Sequence, residues 1–558
     1  MVKESKIRNL IFCVCCPKLS FILKLYQRYQ ARKENIKMHR PLKIGVGCGI
    51  MLTCMTIFGF VAFPNLIKAK IKAMVNLKEG TDVRDIYLKL PFPLMFKIYP
   101  FNLTNPDEVV KGAKPILKEV GPYVFEEWRE KVLIAENEID DTMTFYAKET
   151  FIYRQDLSGG LTGNEIITIP HPLIMAIALT VIREKPAMIS LVTKALNSIF
   201  SQPQTPFLTA TVNQIFFDGI IINCTVTDFP GKALCTELKT EAKQLQVVAD
   251  KIYKFSLMGA KNGSATEKFK VKRGIQNYKE TGRLLEYNDQ AELTIWGSKE
   301  CNQFRGTEGT IFPALPIPKA DIPSFAYPLC RVVDAKYDSK TKYDGIPVNK
   351  YVADFGDQSS NPDDKCYCPS QDECMKKGAL DLRKCAGPIV VTLPHFLDAD
   401  PEYQNGVTGM NPDKDIHQLH ILFEANSGSP LSARNRIQFN FPLMKIDKLK
   451  FLKDVPEVLV PLFWVEESID LQRDLTGPIK MLYTAKTVVK ILTWLSIVAS
   501  IGGLSYAGYI TIKKGHEVEI TPVKAGSTKN DNISMVLSNN DKGHVNHAMS
   551  DNEINNRF

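Results

Sequence analysis

Two uncharged apolar runs bracket most of this chain, and they limit what it can fold into more than any other feature. Ile44–Phe63 is twenty residues long and Ile491–Ile512 is twenty-two. Each reaches the ~20 residues that a helix needs to cross about 30 Å of hydrocarbon. A cleaved leader is the competing reading of the first run. That run starts deep in the chain, however, and reaches Pro64-Asn65 without a small-residue cleavage site. A buried core helix is the competing reading of the second, but Lys513-Lys514 and a polar tail follow it directly. Arg40 and Lys43 precede the first run and Lys513-Lys514 follow the second, which places both termini in the cytoplasm. Lys68, Lys70 and Lys72 run against that rule. The division expected is a cytoplasmic arm (1–43), a span (44–63), an ectodomain (64–490), a second span (491–512) and a cytoplasmic tail (513–558).

Cysteines support the same topology. Cys301, Cys330, Cys366, Cys368, Cys374 and Cys385 fall in one Pro- and Gly-rich stretch that contains no histidine. Cys366-Tyr367-Cys368 is too tight a pair for a zinc knuckle, so disulfides in an oxidising compartment are the better reading. Cys224 and Cys235 bring the ectodomain count to eight, an even number, with a local 224–235 bridge as one option. No metal site is expected.

The net charge of +9 matters once it is located. Residues 1–43 hold eleven Lys/Arg against two acidic residues, and the rest of the chain balances to about zero. The ectodomain therefore has no cationic excess for nucleic acid. Lys251, Lys254, Lys261, Lys268, Lys270, Lys272 and Arg273 read as an ordinary solvated face. Cys13, Cys15 and Cys16 sit in a short apolar patch of the basic arm and are candidates for S-acylation, or the arm simply lies against anionic lipid. Met38-His39-Arg40-Pro41 reads as a second possible start, which would make residues 1–37 an extension. Gly45, Gly47 and Gly49 suit close helix approach in lipid.

Between the runs, Pro64–Leu77 has helical spacing. Met95–Phe101, Tyr123–Trp128, Thr142–Tyr146 and Phe151–Arg154 read as strands of a meander. Leu173–Ile182 and a second segment opened by Pro186 read as two helices, the latter with Met188, Val192, Ala195, Leu196 and Ile199 on one face. They are either packed core or a cap that receives lipid. Thr209–Cys224 and Lys251–Gly282 return to strand-like runs. Asp415–Phe423, Arg436–Leu443 and Val460–Val465 also read as strands, which sets His417 and His420 on opposite faces. Asn102, Asn223 and Asn262 head sequons expected at the surface, whereas Asn532 lies on the cytoplasmic side. No nucleophile elbow, metalloprotease helix or phosphate loop is present, so neither an enzyme nor a cofactor is expected.

Several motifs then carry a resemblance: Gly121-Pro122-Tyr123, Cys301-Asn302, Gly306-Thr-Glu-Gly-Thr-Ile-Phe-Pro313, Cys330-Arg331, Asn361-Pro362-Asp363, Leu393-Pro-His-Phe396, Gly409-Met-Asn-Pro-Asp413 and Pro461-Leu-Phe-Trp464. In this order the chain resembles the class B scavenger receptor family over nearly the whole ectodomain and both spans. Within it, Val120–Trp128, Glu130-Lys131-Val132, Arg183–Met188, Ile221–Cys224 and Val271–Ile275 are most similar to the insect sensory neuron membrane proteins, nearer the first subtype.

The resemblance implies an α+β membrane protein. Two transmembrane helices would bracket a large antiparallel β-barrel-like ectodomain with a helical apical cap and an internal hydrophobic tunnel. It implies disulfides 301–366, 330–385 and 368–374, and a plasma-membrane location in sensory neuron dendrites. The function implied is an olfactory co-factor that captures lipidic pheromones and delivers them to an odorant receptor and co-receptor complex. A general scavenger or lipid-uptake receptor is the alternative. A lysosomal sorting role lacks the dileucine signal it would want in residues 513–558. Fatty-acid-binding members carry lysines on the cap loop, where this chain has Gln202 and Gln204. A carboxylate clamp there is therefore not expected, and neutral ligands such as acetates, aldehydes and alcohols are. The candidate ligand contacts are Lys185, Met188, Val192, Lys194, Leu196, Ile199 and Gln202.

Overall fold

The structure, a computed structural model, describes residues 40–518 apart from Lys243 and Gln371. The arm before Arg40 with Cys13, Cys15 and Cys16, and the tail after Val518 with Asn532, lie outside the described residues. Its contacts divide into two units, residues up to Cys54 with those from Leu495 onward, and residues 55–494.

Both apolar runs are helical and longer than their apolar stretches. α1 spans Arg40–Met74 with one π-helical turn at Phe58–Ala62, and α5 spans Arg473–Val518. The extra turns are amphipathic. In α1, Ile67 and Ile71 pack with Val75 and Ala314. In α5, Ile479 and Tyr483 pack on Ile346, Val348 and Leu431. Hydropathy alone marks only the lipid-length part of each helix, so the amphipathic turns beyond it were not read from sequence. In the first unit a side chain on Gly45 would touch Ala507 at 3.6 Å, and one on Gly503 would overlap Cys48. In the second unit Gly59 faces Thr493, and the Phe60 and Trp494 rings meet edge-on at 5.9 Å.

The chain between the two long helices is built on one large antiparallel sheet. Its strands in chain order include β1 (Leu94–Leu103), β2 (Leu117–Glu119), β3 (Tyr123–Asn137) and β4 (Thr142–Tyr153). Two small sheets follow, β5 (Ile166–Pro170) with β6 (Phe207–Thr211), and β7 (Ile220–Asn223), β8 (Leu245–Ala249) and β9 (Ile252–Phe255). The large sheet resumes with β10 (Ala265–Lys272), β11 (Leu284–Tyr287), β12 (Ile322–Ala326), β13 (Arg331–Tyr343) and β14 (Ile346–Val352). It ends with β15 (Ala379–Asp381), β16 (Val390–Thr392), β17 (His420–Glu424), β18 (Pro430–Leu443) and β19 (Val458–Asp470). The strand order is 11-10-4-3-1-19-18-17-14-13-12.

The two edge strands do not stay open. Thr307 bridges to Arg283 before β11 on one side and to Ser324 of β12 on the other. Leu284 N donates to Gly306 O at 3.1 Å and Phe325 N to Thr307 O at 2.8 Å. The Gly306-Thr307 pair of the longest shared motif thus closes the sheet towards a barrel and removes two aggregation-prone edges. Gly306 has φ +75°, and a Cβ there would overlap the Pro323 carbonyl, so no other residue fits.

Three strand readings need correction. Thr142–Tyr146 and Phe151–Arg154 are one strand, β4. The polar residues between them stay extended because β3 and β10 satisfy their backbone on both sides. Thr209–Cys224 is broken by a π turn at Gln214–Asp218, which ends at Gly219 with φ +96°. Asp415–Phe423 is not one strand. Asp413 caps a single helical turn, Lys414–His417, by accepting from Asp415 N and Ile416 N, and β17 begins only at His420.

Candidate functional site

The cap is built from α2 (Pro172–Glu184), α3 (Ile189–Ile199) and α4 (Phe229–Glu241). His171 starts α2, its Nδ1 accepting from Ile174 N, with Pro172 at the first helical position. Burial pushes the His171 imidazole down to about 4, so it is neutral and able to accept. Sequence reasoning missed α4, although Asp228 before Phe229-Pro230 is a start signal. Asp228 Oδ1 accepts from Gly231 N at 2.8 Å.

The seven candidate ligand contacts separate into two groups. Val192, Leu196 and Ile199 are buried in the same apolar cluster as Phe101, Phe463 and Trp464 of the sheet. Leu196 has no exposed surface and packs within that cluster. Met188, 44% exposed, and Lys185, Lys194 and Gln202 are at the surface. Lys185 pairs with Glu237 of α4 at 3.3 Å. Gln202 has φ +57°, its N–H donating to Asn197 O and its carbonyl accepting from Gln204. The two groups do not converge on one site.

Disulfides link Cys224–Cys235, Cys301–Cys366, Cys330–Cys385 and Cys368–Cys374. Trp296 Nε1 donates to Cys330 O at 2.6 Å, and Arg331 lies over the Tyr367 ring at 3.8 Å. Of the sequon residues, Asn223 and Asn262 are exposed, while Asn102 is half-buried with Oδ1 accepting from Thr168 N at 2.8 Å. The lysines of β10 pair locally, Lys268 with Asp289 at 2.6 Å and Lys270 with Glu286 at 2.8 Å, which makes them the solvated face expected.

The shared motifs meet in space, which their spacing did not reveal. Glu119 Oε2, at the end of β2, accepts from Trp464 Nε1 at 2.7 Å and bonds His395 Nε2 at 2.6 Å. Asn411 N donates to His395 Nδ1 at 3.1 Å, so the ring proton is on Nε2 and points at Glu119. Asp413 N donates to His417 Nδ1 at 2.9 Å, and Tyr99 stacks on Trp464 at 3.8 Å. Burial raises the Glu119 carboxyl, but hydrogen bonds from His395 and Trp464 outweigh it and hold the group below its usual range. Burial, then the neighbouring His395, pushes His417 down to about 4. The cluster is a latch that fastens the loop 393–413 to β2 and β19.

A second buried ionic group lies nearby. Glu466 Oε1 accepts from Lys97 at 2.8 Å, and its Oε2 accepts from Arg436 Nε and Nη2 at 2.8 and 2.7 Å. Arg436 Nη1 also donates to Gln418 O at 2.9 Å.

Comparison with known proteins agrees with this architecture. The CD36 family model matches residues 46–511. Sensory neuron membrane protein 1 of Ostrinia furnacalis is 41% identical over 502 residues, 88% of this chain and 95% of the relative. Its namesakes of Bombyx mori and Apis mellifera are 43% and 39% identical, over 83% and 87% of this chain and 89% and 94% of their own. With two membrane-length helices bracketing a nearly closed antiparallel barrel, and a match over most of its length, the chain belongs to the CD36 family.

Proposed function

We propose that this protein is an olfactory membrane co-factor that captures lipidic pheromones or odorants and passes them through its ectodomain to an odorant receptor and co-receptor complex. The observation that carries the reading is the similarity to sensory neuron membrane protein 1 over more than four fifths of the chain. Physical chemistry supports it. A barrel with a large apolar interior under a helical cap suits a long hydrocarbon, which gains about 0.8 kcal/mol per buried methylene. Binding and transfer need no bond chemistry. Both termini are cytoplasmic, residues 64–490 face outward, and the protein sits in the sensory dendrite membrane. Gln202 and Gln204 on the cap loop favour neutral ligands over fatty acids.

The test is ligand-evoked calcium or firing in cells that express a matched lipid-odorant receptor, with and without this protein. A lower threshold for long-chain apolar odorants, with no change for short polar ones, is expected. An unchanged response to every ligand at confirmed surface expression would transfer the assignment to general lipid uptake.

A further inference from the structure

Inside the barrel, a polar layer lies along the seam between two apolar clusters. Alternate residues of β4 read Phe145, Ala147, Glu149 and Phe151, and those of β3 read Phe125, Glu127 and Arg129. Phe125 and Phe151 belong to one cluster and Phe145 and Phe269 to the other. Glu127, Glu149 and Glu467 of β19 converge on the single guanidinium of Arg129. Its Nε is 2.6 Å from Glu127 Oε1, and its Nη2 is 2.9 Å from Glu467 Oε2 and 3.9 Å from Glu149 Oε1. Tyr327 Oη donates to Glu149 Oε1 at 2.9 Å.

Three carboxyls against one cation leave a surplus of negative charge in a low-dielectric site, so one of them keeps its proton. Glu127 is the deepest, with a side chain 1% exposed against 20% for each of the other two. Its Oε1 is occupied by the Arg129 donor, so the proton is on Oε2. That atom is buried and has no hydrogen-bond partner among the described residues. The missing partner is therefore an acceptor. A buried donor left unpaired is costly, which favours whatever supplies an oxygen.

We propose that Glu127 is the head-group site of the lipid path: its carboxylic O–H donates to the carbonyl, ester or hydroxyl oxygen of a neutral long-chain ligand whose hydrocarbon lies among the aromatic side chains of the flanking clusters. The proposal rests on the transfer function above and adds its selectivity. The layer holds three carboxyls against one guanidinium, so it disfavours a fatty-acid carboxylate and accepts esters, aldehydes and alcohols. The titration fits. Burial, opposed by Arg129 and reinforced by Glu467 and Glu149, pushes the Glu127 carboxyl up to about 8. The groups that face it are Arg129 on its own strand, Glu149 from β4, Glu467 from β19 and Tyr327 from the turn before β13. A cavity of about 10 Å³, room for about one water, borders Glu149 and Tyr327 and gives the layer a route for proton exchange.

The test uses the full chain in nanodiscs loaded with the fluorescent apolar dye N-phenyl-1-naphthylamine, displaced by hexadecyl acetate, hexadecane or palmitate. Glu127→Leu is expected to weaken displacement by the acetate about tenfold, the worth of one hydrogen bond, and to leave hexadecane unchanged. Glu127→Gln, which is isosteric and keeps a donor, is expected to stay within a few-fold of the native protein. Independently of any variant, affinity of the native chain for the acetate should fall as pH rises from about 7 to about 9, and the Glu127→Gln profile should be flat. Equal displacement by the acetate in all three proteins, with a flat native profile, would assign the free oxygen to internal water. That result overturns the head-group site and leaves the transfer function standing. No displacement by any of the three chains removes the transfer function itself, and this site with it.

Discussion

His395 and His417 stack ring on ring, 4.4 Å between centres and 26° between planes. Burial, and then the neighbouring His395, hold His417 at about 4 against an ordinary 6.5. A depressed value in the folded state means the neutral ring is favoured there. Its stabilisation is complete above about pH 6.5 and is lost as pH falls through 4. His171 contributes in the same direction and window. These two rings lower the melting temperature as pH falls below 6.5. Glu127, raised to about 8 in the fold, works in the opposite direction and loses its stabilisation as pH rises through 8. The ring contribution is therefore read as the acid-limb drop that a His417 variant removes. His417→Gln should flatten part of that drop, and an unchanged acid limb would exclude the latch as its origin.

Glu466 pairs with both Lys97 and Arg436 in the barrel wall. Glu466→Leu strands the buried Arg436 charge and should cost roughly 3–5 kcal/mol, enough to abolish surface delivery of a marginal fold. Adding Arg436→Leu should recover most of the loss. A single variant with native stability would show that the group is solvated.

Disulfides 301–366 and 330–385 close loops with separations of 65 and 55 residues, and 368–374 closes one of 6. Chain entropy assigns about 4 kcal/mol to each long loop and about 2 to the short one. Cys330→Ser or Cys385→Ser should block surface expression, and Cys374→Ser should only reduce it. Surface biotinylation reads the difference, and normal delivery of both long-loop variants would refute the ranking.

A side chain at Gly59 would overlap Thr493 of the opposite helix, whereas Gly47 has open space around its Cβ position. Gly59→Leu should destabilise the helix pair by about 1–3 kcal/mol, and Gly47→Leu should be silent. Thermal stability in detergent distinguishes them. Equal effects would mean that lipid contacts, rather than packing, dominate both sites.

What was readable from sequence follows from which signals are local. The spans were legible because lipid demands an uninterrupted apolar run. β1 was legible because its aromatic-rich run alternates in burial, and β19 because Val460–Val465 is an unbroken apolar run typical of a buried strand. The turn at Lys414–His417 was not, since a one-turn helix held by Asp413 has no periodicity and the residues after it alternate. α4 carried a start signal at Asp228 that its weakly amphipathic sequence did not reinforce. The charged layer was the least legible. Glu127 and Arg129 occupy positions that strand alternation assigns to the apolar side, and only closure of the sheet reveals that this side is sealed. The latch was present in the motifs, but its members come from residues 99, 119, 395, 411, 417 and 464, and no spacing rule joins them.

Met95 of β1 pairs with Ser468 of β19, 373 residues later. During synthesis the first strand of the barrel has β2 and β3 within tens of residues, but must wait for β19 until nearly the whole barrel sequence has been made. At about 5–20 residues per second that interval is roughly 20–75 s. The cap helices, the hairpin of β3 and β4 and all eight paired cysteines emerge before it ends. The barrel is thus completed by its last strand, and a ribosome that stalls anywhere before β19 leaves a half-sheet with an open edge for the quality-control machinery to hold.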